Sequence, residues 1–351
     1  MRGSAGPTHE SSLVELSAIP GVKRIVMSSL KQFVKSHRAL RSSLTPVVRF
    51  AKALHHVKRN RLPKALTELF QLVEEGSLVV RIPDFSGSFE IDSRSDTLRR
   101  VLTHGDYEPE LVNFIKNTLD IERDAIDVGA NVGLFTVLLS GLVSSSSRVL
   151  AIEPTPGALK YLRRNLDRND SNDNVIVFEG AASSSSGKLA LKVISGKEEY
   201  SSISNIVHPS VRNESYQLID VSTETVDSLV ERWSLNPGFI KMDTEGAEYD
   251  VLLGSARTIS TYRPIVLCES WEDELITRAG GSPDAVPKFF RERGYLISRP
   301  FGEEILAVPE ETGRMSTRPR GAPRHRSSES RAAIPSTRHG EMREHKSEGI
   351  D

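Results

Sequence analysis

The sequence predicts an α/β fold in which a mostly parallel sheet carries helices on both faces. Short apolar segments typical of buried strands alternate with segments of helical periodicity through the middle of the 351-residue chain. Strands are predicted at 125–129, 148–153, 174–179, 187–194, 216–222, 238–243 and 264–269. Helices are predicted at 133–142, 156–168, 225–234, 246–257 and 283–293. A final antiparallel hairpin, 294–299 with 304–308, is predicted to close the sheet.

A glycine-rich turn follows the first strand of this series. The segment DAIDVGANVG, 124–133, joins a buried strand to a helix through Gly129 and Gly133, which allow the backbone to approach a ligand. Twenty residues beyond Gly133, Glu153 ends the next apolar strand, where an acidic side chain can bind the hydroxyls of a nucleotide ribose. The spacing predicts a Rossmann-like unit that binds a nucleotide, without identifying which one.

The loop residues favour a cationic ligand that lacks phosphates. Asp127 precedes the glycines, Asn131 stands where a dinucleotide-binding loop usually has its middle glycine, and the chain has no GxxxxGK[ST] motif. A carboxylate at this point repels a pyrophosphate and attracts an amino group. S-adenosylmethionine (SAM), with its sulfonium and amino groups, fits this description. The alternative is that Asp127 only caps the turn.

Further motifs lie on both sides of the glycine loop. FIKMDTEGAEYDVLLG, 239–254, is followed by RPIVLCE, 263–269, and GDYEPELVNF, 105–114, comes before the loop. With DVGANVGLFT and the Glu153–Pro154 pair, these motifs make residues 96–308 resemble the FkbM-type family of SAM-dependent methyltransferases. The resemblance implies a Rossmann-like class I methyltransferase, with a mostly parallel seven-stranded sheet and SAM as cofactor. It also favours oxygen as the methyl acceptor, as does the absence of the NPPY-type motif of base amino-group methylation.

Ligands of such sheets bind beyond the carboxyl ends of the strands, and this position assigns roles to individual residues. Asp127 and the loop to Gly133 are expected to bind the methionine part of SAM, and Glu153 the ribose. Glu179, Gly180 and Ala181 are expected to border the adenine, and Glu269 and Trp271 the acceptor. The predicted cofactor-binding residues are Asp127, Gly129, Ala130, Asn131, Gly133, Glu153, Pro154, Gly180, Ala181 and Asp243.

Methyl transfer to a hydroxyl requires a group that takes up its proton. Glu245 and Asp243 are the leading candidates because they follow the fourth parallel strand, and His104 is the third. Lys241 would lower the pKa of a neighbouring carboxylate and weaken it as a base. Asp243, Glu245 and Glu269 could instead hold Mg²⁺, but paired acids more often position hydroxyls, so no metal is predicted. Glu248 is expected to favour the N-terminal dipole of its helix.

The two ends of the chain differ in charge from its middle. Residues 1–64 contain 13 Lys and Arg against two acidic residues, whereas the whole chain has a net charge of −1. They are predicted to form a basic amphipathic helical arm, in which residues 22–61 either contact an anionic membrane or pack on the chain's own domain. Residues 65–123 are predicted to be a lead-in of helices and strands with an entrance motif, and 124–308 the SAM-binding methyltransferase domain. Residues 309–351 are predicted to be a disordered polar tail, because large apolar residues are nearly absent there.

The composition also suggests a cellular location. No apolar segment approaches the roughly 18 residues needed to span a bilayer, and no secretory signal pattern is found at the start. The single cysteine, Cys268, fits a reducing compartment. A cytoplasmic protein is expected, which would be peripheral at the inner membrane face if its basic arm contacts lipid and does not pack on its own domain.

The predicted function is O-methylation of a hydroxyl on a sugar, glycan, lipid-linked or secondary-metabolite acceptor. No specific nucleic-acid partner is expected, because Phe33 and Phe50 are the only aromatic residues of the basic arm that could stack on bases. Two alternatives remain open at this point. One is a non-catalytic SAM- or nucleotide-binding module that docks through its basic arm. The other is a dinucleotide-dependent oxidoreductase, which Asn131 and the closing hairpin disfavour.

Overall fold

A computed structural model describes residues 15–17, 76–202, 211, 214–270, 282–302 and 304–312. Most of the predicted basic arm, the predicted tail beyond residue 312, and Trp271 lie outside the described residues. The predictions of membrane contact and of disorder therefore stay predictions.

The described chain begins with a small three-stranded sheet. Strand β1 (Glu15–Ser17) pairs in parallel with β2 (Ser77–Ile82), and β2 forms an antiparallel hairpin with β3 (Gly87–Asp92). Helices α1 (Asp96–His104) and α2 (Pro109–Thr118) follow. The hydroxyl of Ser95 caps the start of α1 by accepting a hydrogen bond from the backbone N–H of Thr97 at 3.1 Å.

Strands and helices then alternate, as the hydrophobic pattern predicts. In chain order the elements are β4 (Asp124–Val128), α3 (Leu134–Leu142), β5 (Val149–Glu153), α4 (Pro156–Arg168), β6 (Val175–Glu179), β7 (Ala181–Ala182), β8 (Gly187–Val193), β9 (Gln217–Glu224), α5 (Val226–Arg232), β10 (Pro237–Met242), α6 (Glu248–Leu253), α7 (Ala256–Tyr262), β11 (Ile265–Glu269), α8 (Ala285–Arg291), β12 (Tyr295–Phe301) and β13 (Glu304–Pro309).

The central sheet has seven strands in the hydrogen-bonded order β12-β13-β11-β10-β4-β5-β6. Strand β13 is antiparallel to both of its neighbours, and the remaining neighbours pair in parallel. This confirms the predicted mostly parallel sheet with a closing antiparallel hairpin. The chain order reverses between β4 and β10, so a ligand crevice is expected beyond the carboxyl ends of these two strands. Strands β7, β8 and β9 form a separate sheet.

Both faces of the sheet are covered by helices, as predicted. Alternate residues of each strand point to opposite faces, so Ala125 and Phe239 pack with α3 and α4, whereas Ile126 and Ile240 pack with α5 to α8. The pattern also buries two charged residues, because Asp127 and Lys241 fall on the first face and are only 1% and 3% exposed.

The helix predicted at 246–257 is wrong in its extent, because the structure has two shorter helices, α6 and α7, there. They are separated at Gly254, where a Cβ atom would lie 2.0 Å from the backbone oxygen of Ser183. The backbone of Ser183, which is remote in sequence, thus lies against the break between the two helices. The apolar periodicity of the sequence continues through the break, and it therefore predicted a single helix. None of the helices in the described ranges is both long and apolar enough to cross a bilayer.

Candidate active site

A cavity of about 620 Å³ lies at the carboxyl ends of β4, β5, β10 and β11. This is the crevice that the strand order predicts, and its volume is within the usual range of small-molecule sites. The walls come from the glycine loop after β4, the segment after β10, the start of α2 and the turn at 198–201.

The glycine loop lies directly against the end of β10. Gly129 has a φ of +80°, and a Cβ atom at this position would be 1.8 Å from the backbone oxygen of Asp243. Its N–H donates to the carbonyl of Ile152 at 3.0 Å, which ties the loop to β5 as well. Only glycine therefore allows the ends of these strands to approach one another at the cavity.

Asp127 lies beneath this loop and not on the cavity wall. Its Oδ2 accepts a hydrogen bond from the hydroxyl of Thr136 at 2.6 Å, whereas its buried Oδ1 has no partner among the described residues. Burial raises the pKa of Asp127, and the nearby ammonium of Lys241 acts in the opposite direction. The residue is thus more than a turn cap, because one of its oxygens still lacks a hydrogen-bond donor.

Glu153 lies at the end of β5 and lines the cavity. Its Oε2 accepts from the N–H of Asn131 at 2.8 Å, and its Oε1 accepts from the N–H and the hydroxyl of Thr155 at 2.8 and 2.6 Å. A carboxylate has about four acceptor positions, so it can still bind ribose hydroxyls. Burial raises the pKa of Glu153 to about 7, although these hydrogen bonds oppose the shift.

This pKa predicts that SAM affinity depends on pH near neutrality. Ribose hydroxyls donate to the ionised carboxylate, which is depleted below a pKa of about 7 and fully formed above it. Affinity should therefore rise about tenfold between about pH 6 and 8, as measured by calorimetry. Glu153→Gln, which cannot ionise, should bind more weakly and show a flat profile. An equally steep profile in Glu153→Gln would show that another group titrates.

The end of β10 carries a buried ion pair. The ammonium of Lys241 lies 2.9 Å from Oδ2 of Asp243 and 4.7 Å from the ring centroid of Phe135. Burial alone would lower the Lys241 pKa, but Asp243, Asp127 and Glu108 together raise it above its ordinary value. Lys241 therefore stays charged and pairs directly with one oxygen of Asp243.

Glu245 projects from a turn that Glu248 stabilises. Oε1 of Glu248 accepts from the N–H and hydroxyl of Thr244, both at 3.0 Å, and from the N–H of Gly246 at 3.1 Å. Glu245 itself has a φ of +52°, an unusual conformation for a residue with a side chain. Glu248 thus fixes the turn that presents Glu245 to the cavity.

The structure brings three acidic side chains together at this point. One carboxylate oxygen from each of Asp243, Glu245 and Glu269 lies within 4.8 Å of the other two. Burial raises the pKa of Glu245 well above its ordinary value, as do the charges of Asp243 and Glu248. Burial also raises the pKa of Glu269 well above its ordinary value, as do the charges of Asp243 and Glu245.

Another part of the wall is formed by residues that precede the glycine loop. Glu108, the N-cap residue of α2, has a φ of +47°, and its Oε1 lies 4.0 Å from a guanidinium nitrogen of Arg100. The guanidinium of Arg100 also lies 5.9 Å from the ring centroid of Tyr107. Non-glycine residues with positive φ often mark functional sites, and Glu108, Asn131 and Glu245 all line this cavity.

The turn Glu198–Tyr200 also contributes to the cavity wall. Oε1 of Glu199 accepts from the hydroxyl of Ser95 at 2.9 Å and from the N–H of Asp96 at 2.6 Å, while the Tyr200 hydroxyl donates to Asp96 at 2.8 Å. These bonds join the turn to the start of α1. This turn thus contributes to the cavity wall.

The lining is strongly acidic. Arg100 is the only Lys or Arg among the described lining residues, compared with ten carboxylates: Asp96, Glu108, Glu110, Glu153, Glu198, Glu199, Asp243, Glu245, Glu269 and Glu304. Such a cavity favours a cationic ligand and disfavours a pyrophosphate.

Most of the predicted site residues meet at this cavity. The wall includes Gly129, Asn131, Glu153, Pro154, Ala181, Asp243, Glu245 and Glu269. Ala130, Gly133 and Gly180 belong to the adjoining backbone but do not line the wall. His104 is also absent from it, because this exposed residue ends α1 and its Nδ1 donates to the Arg100 carbonyl at 3.1 Å. Glu179 is half-exposed and pairs with Arg163.

Sequence reasoning missed several lining residues, including Arg100, Glu199, Tyr200 and Glu304. Glu199 reaches a helix about one hundred positions away in sequence, and no local pattern indicates such a contact. Glu304 could have been found from the predicted hairpin, because that strand begins beside the end of β11.

The strand order and the acidic cavity at its switch point define a Rossmann-like class I methyltransferase fold. Residues 127–297 match the family described as "Methyltransferase FkbM domain", so the chain contains a domain of this family. The match confirms the predicted resemblance and the prediction of SAM as cofactor. No curated protein matches the chain.

Solved structures of other methyltransferases are similar to this chain. Methyltransferase FkbM from Methylobacillus flagellatus KT has 20% sequence identity and a TM-score of 0.38, and the similarity covers 55% of this chain and 45% of that one. The chain thus spans less than half the length of that protein. Precorrin-6y C5,15-methyltransferase from Geobacter metallireducens GS-15 has 14% identity and a TM-score of 0.34, with 57% and 86% covered. Aeropyrum pernix fibrillarin, a complex with S-adenosyl-L-methionine, has 12% identity and a TM-score of 0.34, with 66% and 83% covered. At these scores the neighbours add nothing to what the strand order shows about the fold.

Proposed function

We propose that this FkbM-type methyltransferase transfers the methyl group of SAM to a hydroxyl oxygen of a sugar, glycan, lipid-linked or secondary-metabolite acceptor. The observation that carries the proposal is the position of Glu245 on the cavity wall beside Asp243, at the end of the fourth parallel strand. A carboxylate here has a pKa well above its ordinary value, mainly through burial. It is therefore a stronger base than a carboxylate in water.

The residues of the cavity fit SAM. The unpartnered Oδ1 of Asp127 lies beneath the glycine loop, Glu153 has acceptor positions left for a ribose, and the acidic lining suits a sulfonium and an ammonium. Asp127, Glu153 and the backbone of the loop from Gly129 to Gly133 would hold the cofactor. When bound, SAM supplies a methyl group whose carbon–sulfur bond breaks with both electrons left on sulfur, as the acceptor oxygen attacks.

Methylation of a hydroxyl acceptor requires a base in the active site. An alcohol is a weak nucleophile, and the oxonium formed when it attacks is very acidic, so a base must accept its proton. Glu245 is proposed to accept this proton and Asp243 to position the acceptor. Asp243 is given the positioning role because Lys241 already occupies one of its oxygens.

The two alternative functions predict other ligands or other outcomes of SAM binding than a methyltransferase does. A dinucleotide-dependent oxidoreductase would have to hold a pyrophosphate among the carboxylates, which electrostatic repulsion opposes. A non-catalytic module would bind SAM without transferring its methyl group. Contact of residues 22–61 with an anionic membrane stays a prediction, since these residues lie outside the described part of the chain.

The acceptor can be identified by product analysis. The full chain would be incubated with methyl-labelled SAM and with glycan and lipid extracts, and labelled products would be analysed by mass spectrometry and NMR. The proposal predicts a labelled methyl ether. A methyl group on nitrogen would contradict the choice of oxygen, and binding of SAM without any labelled product would favour the non-catalytic module.

A further inference from the structure

The negative charge of SAM is the part of the cofactor that the acidic cavity suits least. Besides its sulfonium and α-ammonium groups, SAM carries an α-carboxylate on its methionine part. Ten carboxylates already line the cavity, and they repel a further one unless a cation or several hydrogen-bond donors hold it. The methionine end of the cofactor therefore requires such a group on the cavity wall.

The backbone of the glycine loop has few donors left for this carboxylate. The N–H groups of Gly129 and Ala130 both donate to a carbonyl of β5 at 3.0 Å, and the N–H of Gly133 donates within the loop at 2.9 Å. The N–H of Asn131 donates to Glu153 at 2.8 Å. Loops that bind anions instead direct unpaired N–H groups at the ligand. The carboxylate of SAM is therefore expected to bind a side chain.

Arg100 is the one Lys or Arg among the described residues of the cavity wall. Lys241 lies off the wall, is 3% exposed and already pairs with Asp243 at 2.9 Å. The side chain of Arg100 is half-exposed, and its contact with Oε1 of Glu108, at 4.0 Å, is too long for a hydrogen bond. Within the described ranges its guanidinium has no hydrogen-bond partner, so its five N–H donors can bind a ligand.

The surroundings of Arg100 keep its guanidinium charged and direct it toward the methionine side of the cavity. Burial lowers the pKa of Arg100, but Tyr107, Tyr200 and Glu108 together raise it above its ordinary value. The guanidinium lies 5.9 Å from the ring centroid of Tyr107. Burial raises the pKa of Glu108, and the charges of Lys241 and Asp243 at the end of β10 also act on it. Arg100 and Glu108 therefore lie near the part of the wall where β10 meets the glycine loop, at which the methionine part of SAM is expected.

We propose that Arg100 binds the α-carboxylate of SAM and makes the cavity specific for a cofactor that carries this group. The planar guanidinium can donate two parallel hydrogen bonds to a carboxylate, a geometry that an ammonium does not provide. Arg100 would thus offset the repulsion between this carboxylate and the acidic wall. The inference rests on SAM occupying this cavity, as the proposed function does, but not on the choice of a hydroxyl acceptor.

The test compares SAM with decarboxylated SAM, in which a hydrogen atom replaces the α-carboxylate. Calorimetry on the full chain, without an acceptor, would give the affinity for each ligand. The wild type should bind SAM at least about tenfold more tightly, because decarboxylated SAM cannot form the charge-assisted hydrogen bonds. In Arg100→Gln this ratio should fall to about one or below, since the carboxylate of SAM would then face the acidic wall alone. Arg100→Lys keeps the charge without the paired donors and should retain part of the preference.

The matched control is Arg99→Gln, which removes one positive charge from the neighbouring position of α1. Arg99 pairs with Asp96 at 2.7 Å and does not line the cavity. This variant should keep the wild-type preference for SAM over decarboxylated SAM. Melting curves would check the fold, and Arg100→Gln should melt as the wild type does because its side chain is half-exposed.

The ratio of the two affinities separates binding of the carboxylate from a merely structural role of Arg100. The same ratio in the wild type and in Arg100→Gln would overturn the proposal, even if both affinities fell together. Equal binding of the two ligands by the wild type would also overturn it. A loss of turnover in Arg100→Gln at an unchanged ratio would assign the residue to an anionic acceptor instead. Failure of the wild type to bind either ligand would overturn the proposed function of the cavity itself, and the role of Arg100 with it.

Discussion

Replacing Gly129 with alanine is expected to abolish SAM binding and to lower the free energy of unfolding by about 3 kcal/mol. The added Cβ atom would lie 1.8 Å from the backbone oxygen of Asp243, and the φ of +80° is itself unfavourable for alanine. The chain can relieve the overlap only by moving the glycine loop away from β10. Asn131 belongs to this loop, and its N–H donates a hydrogen bond to Glu153 on the cofactor side of the cavity. The movement would therefore carry these cofactor-binding residues away from Asp243.

Gly141→Ala provides the matched control. Gly141 lies within α3, and a Cβ atom there would meet no other atom within 4 Å. The substitution should stabilise the helix by up to about 1 kcal/mol and leave SAM affinity unchanged. Melting curves and calorimetry on both variants check the pair. Wild-type SAM affinity in Gly129→Ala would contradict the loop's assigned role.

Glu245→Gln is expected to lower turnover by about 10²- to 10⁴-fold while leaving SAM affinity within a few fold. The amide has nearly the same shape as the carboxylate but cannot take up the acceptor proton. The turn that carries residue 245 should persist, because the hydrogen bonds of Glu248 to Thr244 and Gly246 hold it. Single-turnover kinetics with the acceptor found by product analysis would measure the methyl-transfer step.

A control for Glu245→Gln is Glu231→Gln, at an exposed glutamate that pairs with Arg257 on the surface. It should retain wild-type turnover. Undiminished activity in Glu245→Gln would move the role of base to Asp243, since His104 lies off the cavity wall.

The sequence was most informative where function depends on the ends of parallel strands. Gly129 and Glu153 could be located from sequence because each strand is an apolar segment that ends in a recognisable turn, and parallel strands end at one edge. The same reasoning correctly grouped Asp243, Glu245 and Glu269, which follow β10 and β11. These predictions needed only the order of strands and not any contact between distant side chains.

Contacts between distant segments explain most of what the sequence did not predict. Glu199 joins the cavity through bonds to Ser95 and Asp96, which no periodicity encodes. The break between α6 and α7 falls at Gly254, which the backbone of Ser183 approaches closely, although the apolar period continues across it. Asp127, predicted to bind the methionine part of SAM, lies beneath the glycine loop, where strand alternation brings one of its oxygens to Thr136 and leaves the other without a partner among the described residues.

Equilibrium binding of SAM and of NAD to the full chain tests the central claim most directly. The acidic cavity, the Gly129 loop and Glu153 predict that labelled SAM binds at one site per chain and that NAD in excess does not displace it. Binding should weaken at least tenfold in Glu153→Gln, because a charge-assisted hydrogen bond to the ribose is lost. Failure of the wild-type chain to bind SAM, or its displacement by NAD, would contradict the account.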